Sequence, residues 1–234
     1  THEAQPKLFA AIAEQARSRL SEFTPQDLAN MAWAFTTAQV QALRLFGEIA
    51  EHAQWHLIEF KPQGLANTAW AFSTTPVASQ NLHAAIAKRA QLLHVGEFKL
   101  QELTNIAWAF ARAQVAASKL YAQMAQRAQL HMSDLNLQDI ANTAWVLAIV
   151  QMEAPTLFAA VAKQVQRRVG EFNPQGLANT AWAFATAQAD VPELFAVVAE
   201  GALQRLGQFN AQGLANTAWA LATAQVLVPT LFSA

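Results

Sequence analysis

The chain has 234 residues, 53% of them hydrophobic, which is far too apolar for a disordered segment. Charged residues make up only 13%, about half the ~25% of ordinary soluble domains. Fifteen Lys and Arg against 16 acids leave a net charge of -1, so there is no global basic excess of the kind a generic polyanion binder carries. Cysteine is absent, which excludes disulfides, thiolate metal sites and a cysteine nucleophile. No apolar run approaches the ~20 residues of a membrane span.

Read in chain order, one phrase recurs. It is PQDLANMAWAFTTAQ from Pro25, PQGLANTAWAFSTTP from Pro62, LQELTNIAWAFARAQ from Leu100, LQDIANTAWVLAIVQ from Leu137, PQGLANTAWAFATAQ from Pro174 and AQGLANTAWALATAQ from Ala211. Its tryptophans, Trp33, Trp70, Trp108, Trp145, Trp182 and Trp219, stand 37, 38, 37, 37 and 37 residues apart. A constant period in this range marks stacked helical pairs. The expected fold is all-α, a right-handed α-solenoid of about six 37–38-residue helix-turn-helix repeats. It occupies residues 1–234 as a single array: a trailing helix over 1–20, then repeats near 24–60, 61–98, 99–135, 136–172, 173–209 and a truncated 210–234.

Helix A of each repeat opens where Thr24-Pro25 or Asn173-Pro174 supplies a cap and a first-turn proline. Asp27, Glu102 and Asp139 follow three residues after the cap, suiting a capping box and the positive helix end. Leu28, Ala32 and Phe35 share one face, with Trp33 on its flank among alanines, so the tryptophans read as core. Helix B follows a short break, as at Ala154-Pro155. It carries an aromatic column of Phe9, Phe46, His83, Tyr121, Phe158, Phe195 and Phe232. Phe23, Phe60, Phe98, Leu135, Phe172 and Phe209 plug the turn into the next helix A. The array starts and stops inside a helix B, so further repeats or a partner are expected beyond both ends.

LANTAWAFATAQ, with the helix B that follows it, resembles the octotricopeptide repeats of algal organelle proteins and the similar heptatricopeptide repeats. The likeness spans essentially the whole chain. It implies a helical-repeat protein binding single-stranded RNA in chloroplasts or mitochondria, supporting transcript maturation, stability or translation. The proline-rich Glu-Trp segment of the green-algal consensus has no counterpart here.

Two ladders are candidate binding sites. Gln26 and Asn30, Gln63 and Asn67, Gln101 and Asn105, Gln138 and Asn142, Gln175 and Asn179, and Gln212 and Asn216 share a stripe with the Trp edge. Their amides match the donors and acceptors of nucleobases or of a peptide backbone; bonding to the adjoining helix or turn is the other reading. A basic ladder closes helix B at Arg19, His56, His131, Arg168 and Arg205, with Leu93 in the third slot and Arg89 and Arg127 thickening it. It suits phosphates along a strand. Glu22, Glu59, Glu97, Asp134 and Glu171 follow closely enough to pair with it.

Variation within helix A is thin, and the columns that change in character are Asp27/Gly64/Glu102/Asp139/Gly176/Gly213, Met31/Thr68/Ile106/Thr143/Thr180/Thr217 and Thr37/Thr74/Arg112/Ile149/Thr186/Thr223. Such uniformity predicts contact with backbone and shape, with little base selectivity. Among the six histidines, His2, His52, His56, His83, His94 and His131, only His52 and His56 form an i, i+4 pair, and it lacks a third metal ligand. No nucleophile elbow, phosphate loop or paired-carboxylate motif occurs. The expectation is a non-catalytic module without cofactor or metal. Its partner is single-stranded RNA or, alternatively, a protein held on a scaffold within a larger assembly.

Overall fold

The computed structural model describes residues 4–77, 79–189 and 191–224. They form twelve α-helices and no strand: α1 (Ala4–Ser18), α2 (Pro25–Thr37), α3 (Leu43–His56), α4 (Pro62–Thr74), α5 (Gln80–Leu92), α6 (Leu100–Arg112), α7 (Ser118–Leu130), α8 (Leu137–Ile149), α9 (Pro155–Arg168), α10 (Pro174–Thr186), α11 (Pro192–Leu203) and α12 (Ala211–Thr223). The even-numbered helices α2, α4, α6, α8, α10 and α12 carry the repeated phrase and are the A helices; the odd-numbered ones are the B helices. A short 3-10 turn follows each B helix, for example Leu57–Glu59 after α3. His2 and Phe232 lie outside the described residues.

Two compact units divide the chain, Thr1–Leu120 and Tyr121–Ala234. In the first, α4 packs between α2 and α6 while α3 packs between α1 and α5. In the second, α10 packs between α8 and α12, and α9 against α11. Like therefore stacks on like.

The caps form as the local sequence dictates. The side chains of Thr24, Asn136, Asn173 and Asn210 accept the backbone N–H three residues on. Thr24 and Asp27 complete a reciprocal box, and the Thr24 hydroxyl and backbone N–H, both donating to the Asp27 carboxylate, hold it below the usual carboxylate range. Asp139 departs from this expectation. It is 3% exposed, and burial pushes its carboxyl up to about 6.

The same column explains its glycines. A Cβ at Gly64 or Gly176 would sit 3.1 Å from the ring of Phe60 or Phe172, the plug residue of the turn before it. Where the plug presses this closely, Gly is the fitting residue.

Aromatic edges join consecutive repeats. Phe9 meets Phe35 with ring centroids 5.1 Å apart, Phe46 meets Phe72 at 5.3 Å, and Phe158 meets Phe184 at 5.1 Å, all edge to face. Each pair links a B helix to the A helix of the following repeat. His83 replaces Phe in this column and is 1% exposed. Its Nε2 lies 3.2 Å from the Ala69 carbonyl oxygen and its Nδ1 2.9 Å from that of Ser79, so a polar ring in the core has partners on both sides.

Candidate nucleic-acid interface

The A helices bury Leu, Ala and Phe and leave one stripe at the surface. Counting at 100° per residue, the Gln, the Asn, the Trp and the residue four after the Trp fall within about 60° of one another. All six glutamines of the stripe are exposed. Asn30 is exposed, and the other five asparagines are half-buried. Gln26 Nε2 donates to Asn30 Oδ1 at 2.8 Å and Gln138 Nε2 to Asn142 Oδ1 at 2.9 Å. These bonds stay within one helix face and leave the Gln carbonyl and the Asn NH2 for an outside partner.

The tryptophans are not core. Trp33 and Trp219 are each 47% exposed, and Trp70, Trp108, Trp145 and Trp182 are intermediate. The alanines explain this: Ala29, Ala32, Ala66 and Ala69, all essentially inaccessible, let neighbouring A helices approach too closely to admit an indole between them. Each ring is therefore squeezed out along the seam. Trp182 and Trp219 lie with centroids 6.3 Å apart and planes tilted by 34°.

Of these three columns, two face inward in most repeats, with Asp27 exposed and Met31 and Glu102 half-buried. Thr143, Thr180 and Thr217 are buried and donate to the carbonyls of Asp139, Gly176 and Gly213 at 2.7, 2.7 and 2.8 Å. Gly64, Asp139, Gly176 and Gly213 are buried as well. Variation there records packing. The column Thr37, Thr74, Arg112, Ile149, Thr186 and Thr223 lies on the stripe.

Just beyond it, sequence inspection missed a feature. Gln39, Gln114, Gln151 and Gln188 adopt φ of 56°, 56°, 51° and 51°, the left-handed region glycine favours. They close their A helices in a Schellman turn: Gln39 N–H reaches the Thr36 carbonyl at 3.0 Å and Val40 N–H that of Phe35 at 3.0 Å. With no glycine at the position, the usual signal for such a turn is missing. Pro76 takes this place in the second repeat, and α4 ends there on an extended Thr75. Clefts open beside these turns, one of about 530 Å³ in the first unit lined by Gln39, Phe46 and Trp70, and one of about 730 Å³ in the second lined by Gln151, Phe158 and Gln188.

The basic ladder is largely engaged by the protein itself. Arg19 pairs with Glu22 at 2.6 Å, His56 with Glu59 at 3.1 Å, His131 with Asp134 at 3.4 Å and Arg168 with Glu171 at 3.1 Å. Hydrogen bonding to Arg19 holds the Glu22 carboxyl below its ordinary range. Other guanidinium contacts run backward to the preceding turn. Arg89 donates to the Ile58 carbonyl at 2.8 Å, Arg168 to that of Leu135 at 3.1 Å, and Arg205 to those of Val169 and Phe172. Arg127 is half-buried on α7. The arginines thus cap carbonyls in and just after the short 3-10 turns, that of Val169 also accepting the Phe172 N–H at 3.3 Å.

His52 Nδ1 lies 3.0 Å from the Glu48 carbonyl oxygen while His56 turns to Glu59, so the i, i+4 pair does not converge on one point. Among the described residues no group of three or more His, Asp or Glu is placed to hold a metal ion. None of the described helices is long and apolar enough to cross a membrane.

The family model of the RNA-editing substrate-binding complex 6 proteins matches residues 2–116 and, a second time, residues 94–230. The chain belongs to this family. The two matches of the RNA-editing substrate-binding complex 6 family overlap over 94–116. No curated protein sequence matches the chain significantly. The family shown is thus a different one from the octotricopeptide proteins that the repeated phrase resembles.

Proposed function

We propose that the chain is a non-catalytic binding module that holds single-stranded RNA along the Gln–Asn–Trp stripe of its A helices. In this reading the repeats near 24–60, 61–98, 99–135, 136–172, 173–209 and 210–234 are its binding units. Membership in a family named for an RNA-editing substrate-binding complex supports both the ligand class and a place in a larger assembly. The octotricopeptide likeness adds only an organellar setting.

One observation carries the reading: an indole stands half-exposed beside a Gln and an Asn at the same position of every repeat. Every base has a π-face, so stacking on such a row tolerates any sequence and is worth about 1–3 kcal/mol per base. Amides beside each ring supply donors and acceptors without charge. The basic ladder carries less of the binding, because its groups at Arg19, His56, His131, Arg168 and Arg205 already face carboxylates or carbonyls. Anisotropy titrations of short oligouridine at about 50 and about 200 mM salt test this. Binding with a shallow salt dependence is expected; no binding at either salt refutes it.

A second reading has its own observation. Trp55, Ile58 and Leu92 are 84, 75 and 78% exposed on the neighbouring helices α3 and α5 and the turn between α3 and α4. Large apolar groups left this open suit a protein partner. Such a partner would occupy the B-helix side and leave the A-helix stripe to RNA.

A further inference from the structure

We propose that Arg112 is the stripe's anchor for a phosphodiester group, fixing where an RNA strand sits along the first unit. The inference rests on the RNA-binding reading above and adds to it a single residue with a distinct role.

In the four columns of the stripe every other position is Gln, Asn, Trp, Thr or Ile; Arg112 is the one charged side chain. It is exposed. It is also held. Its Nε donates to the Ser73 carbonyl of α4 at 3.0 Å, and its Cζ lies 5.5 Å from the ring centroid of Trp108, one turn earlier on α6. A guanidinium fixed through Nε and through its face has given up little of the fork that binds oxygen pairs. The four Nη hydrogens meet no acceptor among the described residues, and no carboxylate pairs with Arg112 there. This separates it from Arg19 and Arg168, which face Glu22 and Glu171, and from Arg205, which is spent on carbonyls.

The repeat-mates sharpen the contrast. At the equivalent place Thr74 turns its hydroxyl back to the carbonyls of Trp70 and Ala71 at 3.2 and 3.0 Å and offers nothing outward. A strand stacking its bases on neighbouring tryptophans must carry its phosphates past a surface that is otherwise neutral. Arg112 is where that surface presents a formal positive charge in the planar, two-oxygen geometry phosphates accept.

The test uses the full chain, labelled oligouridine, and the variants Arg112→Thr, Arg112→Lys and Trp182→Ala, with helical content checked by circular dichroism. Arg112→Thr, which installs the commonest residue of the column, should weaken binding about three- to tenfold at low salt. It should also lower the slope of log affinity against log salt by about 0.7, the value for one phosphate on a single strand. Arg112→Lys should keep the slope. If Arg112→Thr changes neither affinity nor slope while Trp182→Ala weakens binding, the anchor is refuted and the RNA reading stands. A loss confined to guanine-containing oligonucleotides, with the slope unchanged, makes Arg112 a base reader and overturns the proposal. If the unaltered chain binds none of these RNAs, both readings fall together.

Discussion

The indoles of Trp182 and Trp219, 37 residues apart in sequence, face each other with centroids 6.3 Å apart and planes 34° from parallel. Neither is enclosed, so they hold the edge of a seam without filling a core. Replacing Trp182 by Ala should therefore cost less than the ~3–5 kcal/mol of a buried aromatic truncation. Its effect on RNA affinity should be larger in relative terms, at about 1–3 kcal/mol for one lost stacking partner. Thermal melts and anisotropy on the same sample separate the two.

Asp139 gives a pH prediction with a defined sign. Its carboxyl is pushed up to about 6 in the folded chain, from an ordinary value near 3.8. The folded state then binds the proton more tightly than the unfolded state. Stability from this group is full below about pH 4, falls as pH rises toward 6, and stays reduced above. Asp139→Asn should stabilise the protein at pH 7 by about 1–3 kcal/mol and flatten denaturant midpoints between pH 4 and 6. A variant less stable than the parent at pH 7 would show that the carboxylate is favourably paired.

The four left-handed glutamines predict an easy gain. Each of Gln39, Gln114, Gln151 and Gln188 holds a φ that costs an L-residue about 1 kcal/mol and glycine almost nothing. Gln151→Gly and Gln188→Gly should each raise stability by roughly 0.5–1 kcal/mol, readable as a shift in urea midpoint. Unchanged RNA affinity in these variants would place the strand on the stripe and away from the turns.

Arg205 tests the meaning of the basic ladder. Its guanidinium serves the carbonyls of Val169 and Phe172 in the preceding turn. Arg205→Ala should lower stability by about 1–3 kcal/mol, because those part-buried acceptors lose a charged donor. The salt slope of RNA binding should not move. A smaller slope with unaltered stability would restore this column as a phosphate contact.

Much of this was readable beforehand. The 37-residue period and the Thr24-Pro25 and Asn173-Pro174 caps led directly to paired helices. The Gln–Asn stripe followed from spacing alone. The tryptophans were misplaced, because angular position next to an apolar face does not reveal how close alanine lets the next helix come. The turn at Gln39 and its repeats went unseen, since nothing but glycine advertises a positive φ. The backward reach of Arg89, Arg168 and Arg205 joins residues about one repeat apart, a distance no local pattern encodes. Sorting the variable columns into inward and outward ones needed the packing of Phe60 and Phe172 against Gly64 and Gly176.

The central claim is that the tryptophan stripe is the RNA contact, and the most direct measurement is tryptophan emission during an RNA titration. Six of the seven tryptophans stand on the stripe and the seventh, Trp55, on α3. With Trp55→Phe as the background, the account predicts saturable quenching by oligouridine, with a midpoint equal to that from anisotropy. Saturable binding by anisotropy with the emission unchanged would contradict it, since the RNA would then lie on another face.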